Sequence, residues 1–263
     1  MKNIVFMFPE GRRKALTMSY DDGVVEDRQL VKIFNKYGIK GSFHINGGLL
    51  GNGNHLPAEE IHELYQGHEI SCHSFHHPFL ERIPRICALN QVLEDRKALE
   101  QLAGYPVRGM SYPMGTYDDE VIDILKSADI VYCRTVNSTN RFNLPNNWLE
   151  WHPTCHHRED ILAKAEIFKE SRYNFALFYV WGHSYEFERN CNWNLIENFC
   201  AAISHVDDIW YATNIEIYNY VTALRRLEFS VSCDQVRNPG NMPLWLNIDG
   251  QATKIEPGEL KNI

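Results

Sequence analysis

From Lys14 to Thr213 the chain repeats one pattern: a short apolar run of strand character, then a segment of helical periodicity, then another short run. "KALTMSY" predicts a strand, "VVEDRQLVKIFNKYG" a helix closed by Gly38, and "KGSFHIN" the next strand. Past the glycine-rich loop "GGLLGNGN" come a Pro-started helix "PAEEIHELYQ", a strand "HEISCHS", a long helix near residues 84–103 and a strand through "VRGMSY". Helix–strand pairs follow in "DDEVIDILKSA" and "DIVYCRT", in "EDILAKAEIFKE" and "FALFYVWG", and in "LIENFCAAIS" and "DIWYAT". Such alternation points to an α/β fold. Seven or eight strand–helix units in about 225 residues approach the ~250 residues of a barrel of parallel strands ringed by helices, with a doubly wound open sheet as the competing architecture. Beyond Leu227, alternating apolar residues and the turn signals "NPGN" and "DG" predict a small β appendage. The expected organisation is a catalytic unit over residues 1–225 with a β-rich extension, 226–263, packed on it.

A chain of 263 residues, 44% of them hydrophobic, can bury a sizeable core. With 26 basic against 34 acidic residues and no Lys/Arg-rich run, a nucleic-acid or anionic-membrane partner is disfavoured. The seven cysteines include no CxxC pair and read as reduced thiols. The opening "MKNIVFMFPEGRRK" is too short for the apolar core of a signal peptide, and no run of about 18 apolar residues suggests a membrane span, so a cytoplasmic protein is expected.

Chemistry-bearing residues gather where the strands should end. "MSYDDG" sets Asp21 and Asp22 side by side before Gly23, which permits a sharp turn. Successive side chains of a strand face opposite ways, so adjacent carboxylates should serve different partners. "SCHSFHHP" carries His73 and His77 at i, i+4. Two histidines and a carboxylate are the protein ligands of a hydrolytic zinc centre with a position left for water, which gives Asp21 or Asp22 a role; the other would stand beside that water as a general base. "VRGMSYPMG" offers Arg108, able to hold a carboxylate base ionised, and "LFYVWGHSYEFE" ends an apolar strand on His183, a candidate acid.

The order DD, HxxxH, R with YP, then apolar-His resembles the motif order of the polysaccharide deacetylase family, also called carbohydrate esterase family four, over about residues 14–225. The resemblance implies a distorted, incomplete parallel (β/α) barrel of seven or eight strands that removes acetyl groups from N- or O-acetylated sugars. It implies Asp21 as catalytic base, and Asp22, His73 and His77 as ligands of a divalent metal, zinc first, with cobalt, nickel or manganese as others. Arg108 is implied as the arginine orienting the base, Tyr112 as the donor of a backbone N–H to the oxyanion, and His183 as the acid. The family arginine motif usually reads R-P-P-Y-G, and here one more residue separates Arg108 from Tyr112. The family's fourth motif has no clean match; Trp148, Trp151 and His156 of "NNWLEWHPTCHH", with Tyr20 and Trp181, are the candidates for substrate contact. Competing readings are a same-fold hydrolase of a cyclic imide or ureide, a silent carbohydrate-binding protein, and a protein with a closed structural zinc.

Overall fold

The computed structural model describes residues 2–263. Its centre is a parallel sheet built on β2 (Lys14–Asp22), eight of whose nine residues are buried. Outward from β2 on one side stand β3 (Gly41–Ile45), β4 (Glu69–Cys72), β5 (Gly109–Ser111) and β6 (Tyr132–Arg134). On the other stand β8 (Ala176–Gly182) and β7 (Cys155–His156). A further strand, β9 (Ile209–Tyr211), pairs in parallel with the start of β2, while β3 takes its end. The strands are apolar and buried on both faces because helices flank them; all seven residues of β8 are covered. The result is the expected incomplete (β/α) barrel: a curled parallel sheet whose terminal strands, β6 and β7, are not paired with each other.

The crossover helices follow the sequence signals. Helix α1 (Asp27–Tyr37) buries Leu30, Val31 and Phe34 and ends on Gly38, whose φ of 65° is the left-handed C-cap expected of it. After it come α2 (Ala58–Leu64), α3 (Arg85–Ala103), α4 (Asp119–Ser127), α5 (Ile161–Glu170), α6 (Tyr185–Arg189), α7 (Trp193–Ile203) and α8 (Asn214–Leu224). Helix α8 opens with a reciprocal capping box between Thr213 and Glu216.

The C-terminal β segment is less separate than its sequence implies. Strands Leu244–Ile248 and Gln251–Ile255 form an antiparallel sheet with the N-terminal strand Ile4–Met7. The Tyr220 hydroxyl on α8 donates to the Met7 carbonyl at 3.0 Å and accepts from the Trp245 N–H at 3.2 Å, tying this sheet to the barrel's helical shell. A second small sheet joins Glu228–Phe229, Gln235–Arg237 and Leu260–Asn262.

Three carboxyls are buried far from bulk water: Asp27, Glu69 and Asp95. Burial pushes each up to about 7, against the hydrogen bonds they receive. The unfolded chain releases these protons near pH 4 while the folded chain keeps them, so each group stabilises the fold fully below pH 4 and loses that contribution as pH rises to 7. Asp27 accepts from the Tyr65 hydroxyl at 2.6 Å, a bond an amide oxygen can also take. Asp27→Asn should therefore reduce the fall in stability between pH 4.5 and 7 by about one third, where each carboxyl contributes up to ~1.4 kcal/mol per pH unit. Urea unfolding at pH 4.5, 6 and 7.5 reads this directly, and an unchanged slope would rule Asp27 out as a contributor.

Candidate active site

The C-terminal strand ends of the barrel converge on one cluster. Asp21 and Asp22 close β2, His73 follows β4, Ser111 closes β5, Arg134 closes β6 and His183 follows β8. The two aspartates face one site because the backbone does not stay extended between them: Asp22 has φ 81° and Gly23 φ 67°. A side chain at Gly23 would be doubly penalised, since a Cβ there would lie 2.8 Å from the Ile45 Cγ2. His77 is also left-handed, at φ 59°, and a tight turn rather than a helix carries His73 to His77. Strained backbone at both positions is the kind that persists where a site requires it.

Asp22, His73 and His77 offer ligand atoms that all lie within 4.8 Å of one another. Asp22 Oδ1 is 3.6 Å from His73 Nε2 and 3.8 Å from His77 Nε2, and the two Nε2 atoms are 3.1 Å apart. His73 Nδ1 lies 2.9 Å from the Ser111 carbonyl and 2.7 Å from the Ser111 hydroxyl. With that N–H donated to Ser111, the Nε2 lone pair is left facing the cluster, which is how a metal-ligating imidazole is held. Burial, opposed by Asp21, lowers His73 to about 3 and keeps it neutral. One imidazole held neutral in a fixed tautomer, a second imidazole beside it and one carboxylate fit a divalent cation.

Asp21 has other partners. Ser111 Oγ donates to its Oδ1 at 3.0 Å, and the Arg134 guanidinium donates to its Oδ2 in a fully buried ion pair. Burial would raise the Asp21 carboxyl, but Arg134, His73 and His183 outweigh it and hold it far below the usual carboxylate range. Asp22 moves the opposite way, raised chiefly by its own burial. Neighbours in sequence thus differ in chemistry, a separation typical of paired functional carboxylates. His183 Nε2 stands 3.9 Å from Asp21 Oδ2 and 4.0 Å from Asp22 Oδ2.

Two assignments change. Arg108 does not reach Asp21: it lies at the opposite end of β5, where its guanidinium bonds Asp129 at 2.8 Å on the surface. The arginine at Asp21 is Arg134, from the neighbouring strand, and Ser111 and Arg134 are paired in register across β5 and β6. Nor is the Tyr112 N–H free for an oxyanion, because it donates to the Arg134 carbonyl at 3.1 Å; the Tyr112 hydroxyl bonds the Leu149 carbonyl. Arg134 was visible in sequence as the next-to-last residue of the predicted strand "DIVYCRT", close to the strand end at which this fold builds its sites. His44 on β3, fully buried beside Asp21, gave no sequence signal beyond its strand.

The aromatic candidates divide. Trp151 and Tyr20 are core residues, 0% and 1% exposed: Trp151 packs on Tyr132, Trp148 and Tyr179, and Tyr20 on Phe34, His157 and Phe187. Trp148 packs against Trp151 and Tyr218. Trp181 lies beneath the site with the Arg134 guanidinium stacked on its ring at 4.3 Å, and His156 packs edge-on against it.

Residues 9–133 match the family model for polysaccharide deacetylase. Among curated proteins the chain is 25% identical over 111 residues to "Putative polysaccharide deacetylase YxkH" of Bacillus subtilis, covering 41% of this chain and 40% of YxkH. It is 27% identical over 116 residues to the peptidoglycan-N-acetylmuramic acid deacetylase PdaC of the same organism, covering 43% of this chain and 24% of PdaC. The alignments thus span less than half the length of these relatives. Among solved structures, a "putative polysaccharide deacetylase" from Mycobacterium smegmatis superposes with a TM-score of 0.65 at 16% identity, over 83% of this chain and 93% of that one, a likeness of fold. The matched segment contains both aspartates and the histidine pair, and over it the chain is similar to the polysaccharide deacetylase family.

Proposed function

We propose that this chain is a metal-dependent hydrolase that removes acetyl groups from an N- or O-acetylated sugar. The observation that carries the reading is the division of labour between Asp21 and Asp22: one carboxylate is locked to an arginine and a serine, and its neighbour faces two imidazole nitrogens. Asp22, His73 and His77 would hold the cation. When bound, it would supply Lewis acidity toward water and toward the acyl oxygen.

The rest falls to the chain's own groups. Asp21, kept ionised by Arg134, accepts a proton from the attacking water; the Ser111 hydroxyl fixes the direction of its carboxylate. Against its burial, His183 is raised by Glu186, Asp21 and Asp22, a shift toward the protonated form that an acid to the departing amine or alcohol requires. With the Tyr112 N–H occupied and the Gly115 N–H donated to the Tyr112 carbonyl, the Met114 N–H is the donor that the turn Pro113–Gly115 would offer an oxyanion. The net reaction consumes one water and yields acetate and the free amine or alcohol. An acetylated sugar is favoured over a cyclic imide by the complete donor trio and by the sugar substrate named for PdaC.

The test is metal analysis of the purified protein together with acetate release from a panel of acetylated mono- and oligosaccharides. About one divalent metal per chain and acetate from at least one sugar are expected. Metal without acetate from any sugar would displace this reading in favour of the non-sugar amide. His183→Ala should keep its metal yet slow amide cleavage by roughly 10² to 10⁴, with activated esters affected less. Equal losses on both substrates would remove His183 from the acid role.

A further inference from the structure

Behind His183 lies a second cluster, of which the proposed reaction draws only on the charge of Glu186. Glu186 on α6 is 5% exposed, and its Oε2 lies 3.1 Å from His156 Nε2 and 3.0 Å from His157 Nε2. Both histidines are buried at the end of β7. The other oxygen, Oε1, is 3.8 Å from His183 Nδ1, 3.7 Å from Arg158 and 3.6 Å from Arg189. The backbone makes room for this arrangement: a Cβ at Gly182 would lie 2.0 Å from His157 Nδ1, so the residue before His183 must be glycine.

Two histidines and a glutamate so close could hold a metal. The surroundings argue otherwise. His156 Nδ1 accepts from the backbone N–H and the Nε–H of Arg158, at 3.2 and 3.3 Å, so this ring carries its proton on Nε2, the nitrogen on the side of Glu186. A ligand imidazole would need the reverse tautomer. Two guanidiniums already stand near the same carboxylate, where a divalent cation would be repelled.

The geometry points to Glu186 as the positioning residue of His183. His156 Nε2 and His157 Nε2 flank one carboxylate oxygen at 3.1 and 3.0 Å, and the i, i+3 spacing from His183 to Glu186 sets the other before His183 Nδ1, a buried atom that, like Glu186 Oε2, has no formed hydrogen bond. An anion there keeps the Nδ1–H edge turned inward. Nε2 is then the atom presented between Asp21 and Asp22. The assignment rests on the proposed deacetylation, in which His183 gives a proton to the leaving group. It adds a carboxylate to that role, supplied by the sequence "GHSYE" and anchored by "CHHR".

Glu186→Gln and Glu186→Asp test it, with an N-acetylated sugar and an activated aryl acetate as paired substrates. The Gln variant should lose roughly 10- to 100-fold in kcat on the amide, with KM unchanged, about threefold or less on the aryl ester, and no metal. The Asp variant, whose charge is withdrawn by one methylene, should fall between it and the wild type. In a crystal of the Gln variant the His183 imidazole should be rotated or spread over two orientations. Equal losses on both substrates, an unmoved His183 ring, or loss of a second metal equivalent from the Gln variant would each overturn the assignment. A wild type that carries metal but releases no acetate would overturn the deacetylase reading itself, and the crystal comparison would still decide what orients His183.

Discussion

Asp21→Asn should purify with the same metal content as the wild type and hydrolyse its acetylated substrate roughly 10² to 10⁴-fold more slowly. Asn keeps the shape of the side chain and an oxygen for the Ser111 hydroxyl, but it cannot take a proton, and removing a general base is worth roughly 10² to 10⁴ in rate. It also leaves Arg134 buried without its counter-charge, so some loss of stability should accompany the loss of turnover. Asp22→Ala should fail in the opposite order. Losing one of three protein ligands removes most of the affinity for the cation, and activity should return in part when metal is added in excess. No excess of metal should rescue Asp21→Asn. Metal per chain and acetate release for both variants decide the matter: metal lost from Asp21→Asn and kept by Asp22→Ala would reverse the two roles, and no change in either variant would reduce the pair to a turn.

The parts of this site that could be read from sequence are those fixed by local spacing. Aspartates at the end of a strand before glycine, and histidines four apart after another strand, announce themselves because neighbours in sequence are neighbours in the site. The strand–helix alternation was equally legible, since parallel strands covered on both faces must be apolar throughout. What could not be read was lateral. Arg108 and Arg134 both sit at ends of predicted strands, and only the direction and pairing of β5 and β6 show that one faces Asp129 on the surface and the other Asp21. Tyr112 misled for the same reason: the hydrogen bond that occupies its N–H comes from the adjacent strand. Trp151 and Tyr20 lie in predicted site segments but turn into the core, a choice made by packing partners far away in sequence. The joining of residues 4–7 to the C-terminal sheet is likewise a pairing across nearly the whole chain.

Arg134→Met should be nearly as inactive as Asp21→Asn, although Arg134 is neither a proposed metal ligand nor itself a proton acceptor. Breaking a buried ion pair by removing one partner costs about 3–5 kcal/mol because the remaining charge has no solvent. Asp21 relieves that cost by taking a proton, since without the guanidinium its burial is opposed only by histidines. A carboxyl protonated near neutrality is no base, so the acid limb of the kcat profile should move to higher pH. Asp21 also stabilises the fold through its lowered pKa, a contribution present above the carboxylate range and lost as pH falls, and the variant should lose it already at neutral pH. Arg134→Lys keeps the charge but not the fork that also reaches the Thr135 carbonyl and stacks on Trp181; it should retain one to ten per cent of turnover, roughly a 10- to 100-fold loss. Register offers a sharper test. Ser111 and Arg134 lie side by side on adjacent parallel strands, roughly 4.8 Å apart, and both already bond Asp21. In the double variant Ser111→Arg, Arg134→Ser the guanidinium returns to Asp21 from the other strand, and the Ser111 carbonyl position that holds His73 is kept as backbone. It should recover at least tenfold of the activity that Arg134→Ser alone loses. Wild-type turnover in Arg134→Met, with an unmoved acid limb, would show that the guanidinium is a packing element and that Asp21 needs no counter-charge to act.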